Sequence, residues 1–384
     1  MNNKQENVNF GILTYNSINI GDEIQSLAAM RFLPRIDSYV YREKINLFKP
    51  SIKTKLLMNA WWMWKPENFS IDKNVDALFT SVHIREAIFS NFEKKMEIFS
   101  KFAPIGCRDL STCEYLKSHN IQAYFSGCLT LTLQRNYNIP KQDYILCVDV
   151  PQKVIDVIKT KTSKPVYDIS RFLSPYYDSK ERFELAKVML SLYHNAHLVV
   201  SPRMHVILPS LALETNVLEI KTREASIKGA AVRYMDYVGF ANYIDIDNHF
   251  EELYNYDFDN PPKNPIKHLK YREELIKKCS DFTGYNNTES LIETDFNPLI
   301  KLVQLNAYKK ENIGRIVYWA SIQELIKALY YRLQGFDRYD LVDNEIVDKN
   351  SIIKFLLYIK NVVNNLNKKF WNRLIIILRY KYLG

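Results

Sequence analysis

The chain has 384 residues, 47% of them hydrophobic and 25% charged. That balance belongs to a globular protein with room for two domains, and it excludes a disordered, fibrous or low-complexity chain. The formal charge of +9 is concentrated: residues 350–384 hold seven Lys or Arg and no Asp or Glu, which leaves 9 − 7 = +2 for the remainder. The basic character therefore describes a partner of the tail, and no nucleic-acid partner is expected. The polar opening MNNKQENVNF predicts no secretory signal, and no run approaches the ~18 apolar residues of a membrane-spanning helix. Five cysteines without a C-x-x-C pair predict free thiols in a reducing compartment rather than a disulfide framework or structural zinc. No His, Cys, Asp and Glu cluster stands at metal spacing, so neither a metal nor a cofactor is expected.

Residues 8–14 (VNFGILT) read as a first strand. A polar turn containing Asn19 follows, then a helix that Asp22 caps, with Gln25 three positions on reaching back as in a capping box. Ile24, Leu27, Ala28 and Phe32 give that helix an apolar face. Strand, turn and helix open an α/β unit whose turn offers helix N–H groups to a ligand; a plain capped helix is the alternative. The glycine pattern is not G-x-G-x-x-G, which removes a dinucleotide fingerprint. Residues 38–46 read as a second strand. Residues 59–64 (NAWWMW) read as core or interface packing before a sugar platform. Residues 76–83 (DALFTSVH) read as a strand ending at His83, whose simplest role is a satisfied histidine. Residues 85–99 read as a helix, 104–109 as a short strand entering a turn, 111–119 as a helix and 122–125 as a strand. Arg108 lies at a strand end, facing a cleft, with a salt bridge to Asp109 or a neighbouring loop as the alternative. This alternation predicts a mostly parallel sheet with helices on both faces, which binds ligands at the carboxyl ends of its strands.

Residues 137–142 read as a linker, and 144–150 as the strand that starts a second α/β series. Residues 181–195 form a helix with Leu185, Val188 and Leu192 on one face. It leads into residues 197–216, HLVVSPRMHVILPSLALETN. Here 198–200 are a buried strand, Ser201 and Pro202 break it, and 206–213 are the next helix. Arg203, Met204 and His205 therefore sit on a strand-to-helix turn. Exposed helix N–H groups and the helix dipole favour an anion there. Arginine adds bidentate recognition of carboxylate or phosphate, and histidine adds a proton exchanged near neutral pH. The set suits an anionic substrate whose reaction moves a proton; a packed histidine beside a surface salt bridge is the alternative. Pro209 is expected to kink the helix or delay its start. Residues 217–220 read as a strand, followed by basic Lys221, Arg223 and Lys228. Residues 243–246 read as an edge strand, 254–265 as an acidic, proline-rich connection, and 266–282 as a helix. Everything after Glu289 reads as mostly helical. In the tail, Ile352, Leu356, Ile359, Val363, Leu366, Phe370, Leu374 and Ile377 fall on one helical stripe, with Lys354, Lys368 and Lys369 off it. Such a basic amphipathic helix suits an anionic membrane surface, or packs on protein.

Three stretches together resemble the polysaccharide pyruvyl transferases in motif, order and spacing: NIGDEIQSLAAMRFL (19–33), PIGCRDLSTCEYL with SGCLTLTL (104–133), and VVSPRMHVILPSLAL (199–213). The resemblance spans residues 9–247 and leaves out the tail. It implies an α/β fold of two Rossmann-like domains facing a central cleft, as in GT-B glycosyltransferases. The N-terminal domain would be 1–138, the C-terminal domain with the Arg-x-His turn 139–285, and a helical, basic extension 286–384. It implies transfer of the pyruvyl group of phosphoenolpyruvate onto two hydroxyls of a surface-polysaccharide sugar, or its lipid-linked precursor, to form a ketal. His205 and Arg203 would be catalytic, His205 moving protons and Arg203 holding carboxylate or phosphate. Arg108 would be a second anion clamp. Met204, Asn19 and Asp22 would bind substrate, and Arg223 and Lys228 are the candidates for a further basic residue that members carry downstream. Glu214-Thr215-Asn216 departs from the usual glycine and proline after the helix. The location implied is cytoplasmic, peripheral on the inner face of the membrane. Two other readings use the same architecture: sugar transfer from a nucleotide sugar, and a non-catalytic, membrane-associated protein of polysaccharide assembly, which the Arg-x-His pair disfavours.

Overall fold

Parallel strands are buried on both faces, so they demand near-continuous aliphatic sequence. The chain supplies it in β1 (Asn9–Thr14), β9 (Ile145–Val148) and β11 (Leu198–Ser201), which are buried almost throughout. The computed structural model describes residues 8–17, 19–63, 65–171, 179–223 and 236–292. The chain divides into two compact units, Met1–Val317 and Tyr318–Gly384, and every described residue belongs to the first. Trp64, Lys228, the helical extension expected beyond residue 292 and the apolar stripe of the tail lie outside the described residues.

The first sheet has the order β2-β1-β3-β5, with β2 (Ser38–Tyr41), β3 (Thr54–Leu57) and β5 (Val75–Leu78), all parallel. Two short parallel pairs extend this half: β4 (Trp61–Trp62) with β6 (His83–Ile84), and β7 (Ile105–Cys107) with β8 (Ala123–Phe125). The second sheet is β10-β9-β11-β12-β13, also all parallel, with β10 (Val166–Ile169), β12 (Asn216–Lys221) and β13 (Asn242–Asp245). The helices are α1 (Gly21–Met30), α2 (Phe89–Phe92), α3 (Met96–Lys101), α4 (Leu110–Ser118), α5 (Gln152–Lys161), α6 (Ser179–Asn195), α7 (Met204–Ala212), α8 (Glu252–Asn255) and α9 (His268–Thr283). The architecture is α/β with parallel sheets, as the alternation predicts.

Some boundaries differ from expectation. The second strand stops at Tyr41, and Arg42–Leu47 is a 3₁₀ segment whose Arg42 and Glu43 are buried as an ion pair, 2.8 Å apart. The helix expected over 85–99 is broken into α2, α3 and two 3₁₀ turns. None of its pieces has a side-chain N-cap, and uncapped short pieces tighten readily into 3₁₀ geometry. Helix α7 begins at Met204 rather than Val206, which puts Met204 and His205 in its first turn and Arg203 at the N-cap. Pro209 therefore does not delay the start. Its missing N–H is one that the carbonyl of His205 would otherwise accept, and the helix runs on to Ala212.

One hydrophobic core joins the two sheets. It takes Phe10 and Ile12 from β1, Ile24 and Leu27 from α1, Leu146 and Val148 from β9, Val199 from β11, and Met189 and Tyr193 from α6. A second core lies under the first sheet, where Trp62 packs on Phe69 with ring centroids 5.4 Å apart. The tryptophan-rich segment thus serves packing at Trp62. The shared core brings the carboxyl ends of β1, β9, β10 and β11 to one region, and Arg108, after β7, reaches it from the second core.

Candidate active site

His205 stands in the first turn of α7, and its Nε2 lies 3.2 Å from Nη1 of Arg108, the residue after β7. Gly21 opens α1 against the same ring. A Cβ built there would lie 2.8 Å from both Cβ and Nδ1 of His205, so only glycine permits this approach. Three elements from both halves of the molecule thus meet at one imidazole. Arg108 is 1% exposed, and its Nη1 also donates to Oε1 of Gln25. Its carbonyl accepts from the Tyr237 hydroxyl at 2.5 Å. Its Nε has no hydrogen-bond partner among the described residues. A buried guanidinium N–H without an acceptor is costly, and a ligand oxygen would relieve it.

A second cluster adjoins Arg203. Asp149 follows β9 directly with φ of 55°, a left-handed conformation unusual outside glycine. Its Oδ2 accepts from Arg171 Nη1 and, at 3.3 Å, from Arg203 Nε; its Oδ1 accepts from the Ser170 hydroxyl at 2.6 Å. Burial pushes this carboxyl up, but Arg171, the Ser170 hydrogen bond and Arg203 outweigh it and hold the carboxyl below its ordinary range. An ionised Asp149 therefore yokes two guanidinium groups. Arg171 also reaches across to the first half: its Nε donates to Asn19 Oδ1 at 3.2 Å, and its carbonyl accepts from Ile20 N at 3.1 Å. Asn19 Oδ1 accepts from Gly21 N as well, at 3.2 Å. Arg171 and Arg203 set two guanidinium groups on the Asp149 carboxylate, with Arg108 on His205, a gathering of donors that suits an anion.

The other expected site residues fare differently. Asp22 is not the helix cap. Asn19 already takes the Gly21 N–H, the helix starts one residue before Asp22, and Ile20 at the N-cap makes no side-chain bond. Asp22 is instead buried in the first turn, accepting from Ser17 Oγ at 2.7 Å and from Gln25 Nε2 at 3.3 Å. The expected Asp22–Gln25 contact exists, but the other end of Gln25 holds Arg108. Met204 packs partly buried against the cluster of Cys128, Leu131, Ile207 and Tyr237. Arg223 is exposed beyond the end of β12, and its backbone N–H donates to Asp247. His83 is satisfied by Asp109 at 2.6 Å. That carboxyl is pushed up by burial and more strongly down by His83 and by the α4 N–H it caps, so it stays below its ordinary range. The pairing of Arg108 with Asp109 is not made.

Sequence reasoning missed Asp149, Ser170 and Arg171. A reading that recognised β10 would have found Ser170 and Arg171 at its carboxyl end. A groove of 310 Å³ lined by Leu27, Met30, Leu33 and Ile36 lies at the far end of α1, and none of Arg108, Arg171, Arg203 and His205 lines it. All five cysteines are free and buried. Among the described residues no group of three or more His, Cys, Asp or Glu could hold a metal ion, and no helix is long and apolar enough to cross a membrane.

Among solved structures, a functionally uncharacterised protein from Klebsiella pneumoniae subsp. pneumoniae NTUH-K2044 is similar, with a TM-score of 0.41 and 15% identity over 62% of this chain and 93% of that one. No curated protein matches the chain. The family model for polysaccharide pyruvyl transferase matches residues 19–218, more than half of the 384 residues and a span that holds Asn19, Gly21, Arg108, Asp149, Arg171, Arg203 and His205. The chain belongs to the polysaccharide pyruvyl transferase family.

Proposed function

We propose that the chain transfers the pyruvyl group of phosphoenolpyruvate onto two hydroxyls of a polysaccharide sugar, forming a cyclic ketal. The observation that carries this reading is the meeting of the His205 ring with a buried arginine and a helix N-terminus, beside the Arg171–Asp149–Arg203 cluster. A three-charged donor needs cations and helix ends, and an enol carbon needs a proton. Arg203 and Arg108 would hold the carboxylate and phosphate, and Arg171 would add to the positive field. His205 would relay a proton, an effect typically worth about 10²–10⁴-fold.

The atoms balance as follows. A sugar hydroxyl loses its proton to His205, and its oxygen bonds to C2 of the donor. The proton passes to C3, which becomes a methyl group. The second hydroxyl then attacks C2, the C2–O bond to phosphate breaks, and phosphate leaves with the remaining proton. In this reading the two sheets act as the two Rossmann-like halves of a GT-B-like enzyme, and the acceptor is a lipid-linked precursor met at the inner membrane face. Asn19 and Asp22 would shape the α1 side of the site, and Met204, Arg223 and Lys228 would be further substrate-binding residues.

The test is release of inorganic phosphate from phosphoenolpyruvate by the full chain, with and without surface-polysaccharide precursors. NMR detection of the new ketal methyl singlet identifies the product. Turnover of nucleotide sugars with no phosphate from phosphoenolpyruvate would overturn the proposal.

A further inference from the structure

We infer that Gln25 is a positioning residue that, through Arg108, fixes His205 as a neutral ring with its lone pair on Nε2 and its proton on Nδ1. A guanidinium carries only donors and stays protonated. The nitrogen 3.2 Å from Arg108 Nη1 must therefore accept, and an accepting imidazole nitrogen bears no proton. Gln25 sets this up from one turn inside α1. Its side chain is wholly buried, and Nε2 donates to the Gly21 carbonyl and to Asp22 Oδ1, both at 3.3 Å. Two acceptors at one end and the Arg108 donor at the other leave a single orientation for the amide. The Gln25 carbonyl accepts from Asn59 Nδ2 at 2.8 Å, which holds the residue from its backbone side as well. The chain Asp22–Gln25–Arg108–His205 thus runs from the first helix of one half to the ring on the other.

A ring held this way enters turnover neutral: once Arg108 turns from Nε2 to the donor anion, Nε2 takes up the hydroxyl proton before it is passed to C3. That consequence rests on the proposed pyruvyl transfer; the state of the ring does not.

The experiment reads the imidazole nitrogens of the full chain labelled with ¹⁵N-histidine near neutral pH. Among the seven histidines, His205 is assigned by the signals lost in His205→Gln. The wild type should show an unprotonated Nε2 and a protonated Nδ1. Gln25→Met, which has no strong acceptor for Arg108, should lose this single tautomer for a mixture. Gln25→Glu, which keeps the acceptor, should restore it. A protonated Nε2 in the wild type overturns the inference, and so does a Gln25→Met spectrum identical to wild type. Where Gln25→Met fails to fold, the wild-type spectrum still decides the ring state, and Gln25→Leu, which also lacks the acceptor, decides the part of Gln25. Phosphate release measured on the same wild-type sample separates the two ideas: the expected tautomer without turnover of phosphoenolpyruvate overturns the proposed reaction and upholds the assigned ring state.

Discussion

Arg182→Met would leave the Glu23 carboxyl buried without its cation. The pair joins α1 to α6 across the two halves: Arg182 Nε lies 2.7 Å from Glu23 Oε1, both residues are almost wholly buried, and Arg182 Nη2 donates to the Ser17 carbonyl at 2.6 Å. Removing one partner of a buried pair costs about 3–5 kcal/mol, because the other charge is stranded. The cost depends on pH in a direction that the structure fixes. Burial pushes Glu23 up from 4.5 to about 7, against the downward pull of Arg182. A carboxyl raised on folding contributes stability below its unfolded value that is lost as pH climbs through the folded one. From 4.5 to about 7 that loss is about 3 kcal/mol, at about 1.4 kcal/mol per pH unit. Without Arg182 the carboxyl rises further, so Arg182→Met should be mild near about pH 5, where Glu23 is protonated, and severe near about pH 8. Glu23→Gln should flatten the dependence, and the double variant should be less damaged than Arg182→Met alone near about pH 8. Urea unfolding followed by far-UV circular dichroism, on all four proteins at both pH values, measures this. A loss equal at the two pH values, or below about 1 kcal/mol, would show that the pair behaves as a surface contact and would refute the argument.

Gly21→Ala should leave the fold intact by circular dichroism yet displace His205, lowering kcat at least about tenfold, since misplacement by an ångström is expensive in catalysis; wild-type kcat would refute the close approach. Arg203→Ala should weaken phosphoenolpyruvate binding by about 10–100-fold, the worth of a charge-assisted hydrogen bond. His205→Ala should instead lower the single-turnover rate by about 10²–10⁴-fold, and full activity in that variant would remove its assigned role. For the tail, the full chain should co-sediment with vesicles containing anionic lipid at low salt while a chain ending at Asn350 does not, since each basic residue at such a surface contributes about 1 kcal/mol; equal behaviour of the two would assign the stripe to protein packing.

Much of the α/β frame was legible because periodicity is local. The run of β1, the apolar face of α1 with Ile24, Leu27 and Ala28, and the buried strand before Arg203 all declare themselves within a dozen residues. Strand β3 did not. Its four residues, TKLL, are too few to show a period, and only pairing with β1 and β5 makes them a strand. The Arg108–His205 contact spans 97 positions and the Arg108–Gln25 bond 83, distances over which no local pattern speaks. Gln25 misled for the same reason: its spacing to Asp22 fits a cap, and the partner that matters comes from β7. Asp149 was invisible because a single acid after a strand carries no signature until two arginines close on it.

The core that runs from β1 through α1 to β9 and β11 bears on how substrates come and go. A hinge that parted the halves would open the contact of α1 with α6 and α7, to which the shared core contributes Ile24, Leu27, Met189, Leu190 and Val206. Each such side chain is worth about 1.5–3 kcal/mol when buried, so five of them sum to roughly the whole stability of a typical domain. Wide opening is therefore too costly to recur in every catalytic cycle. On the proposed reaction, the donor would enter and phosphate would leave along the rim of strand ends, over the polar side chains of Asn19, Arg171 and Arg203, while the greasy seam beneath stays shut.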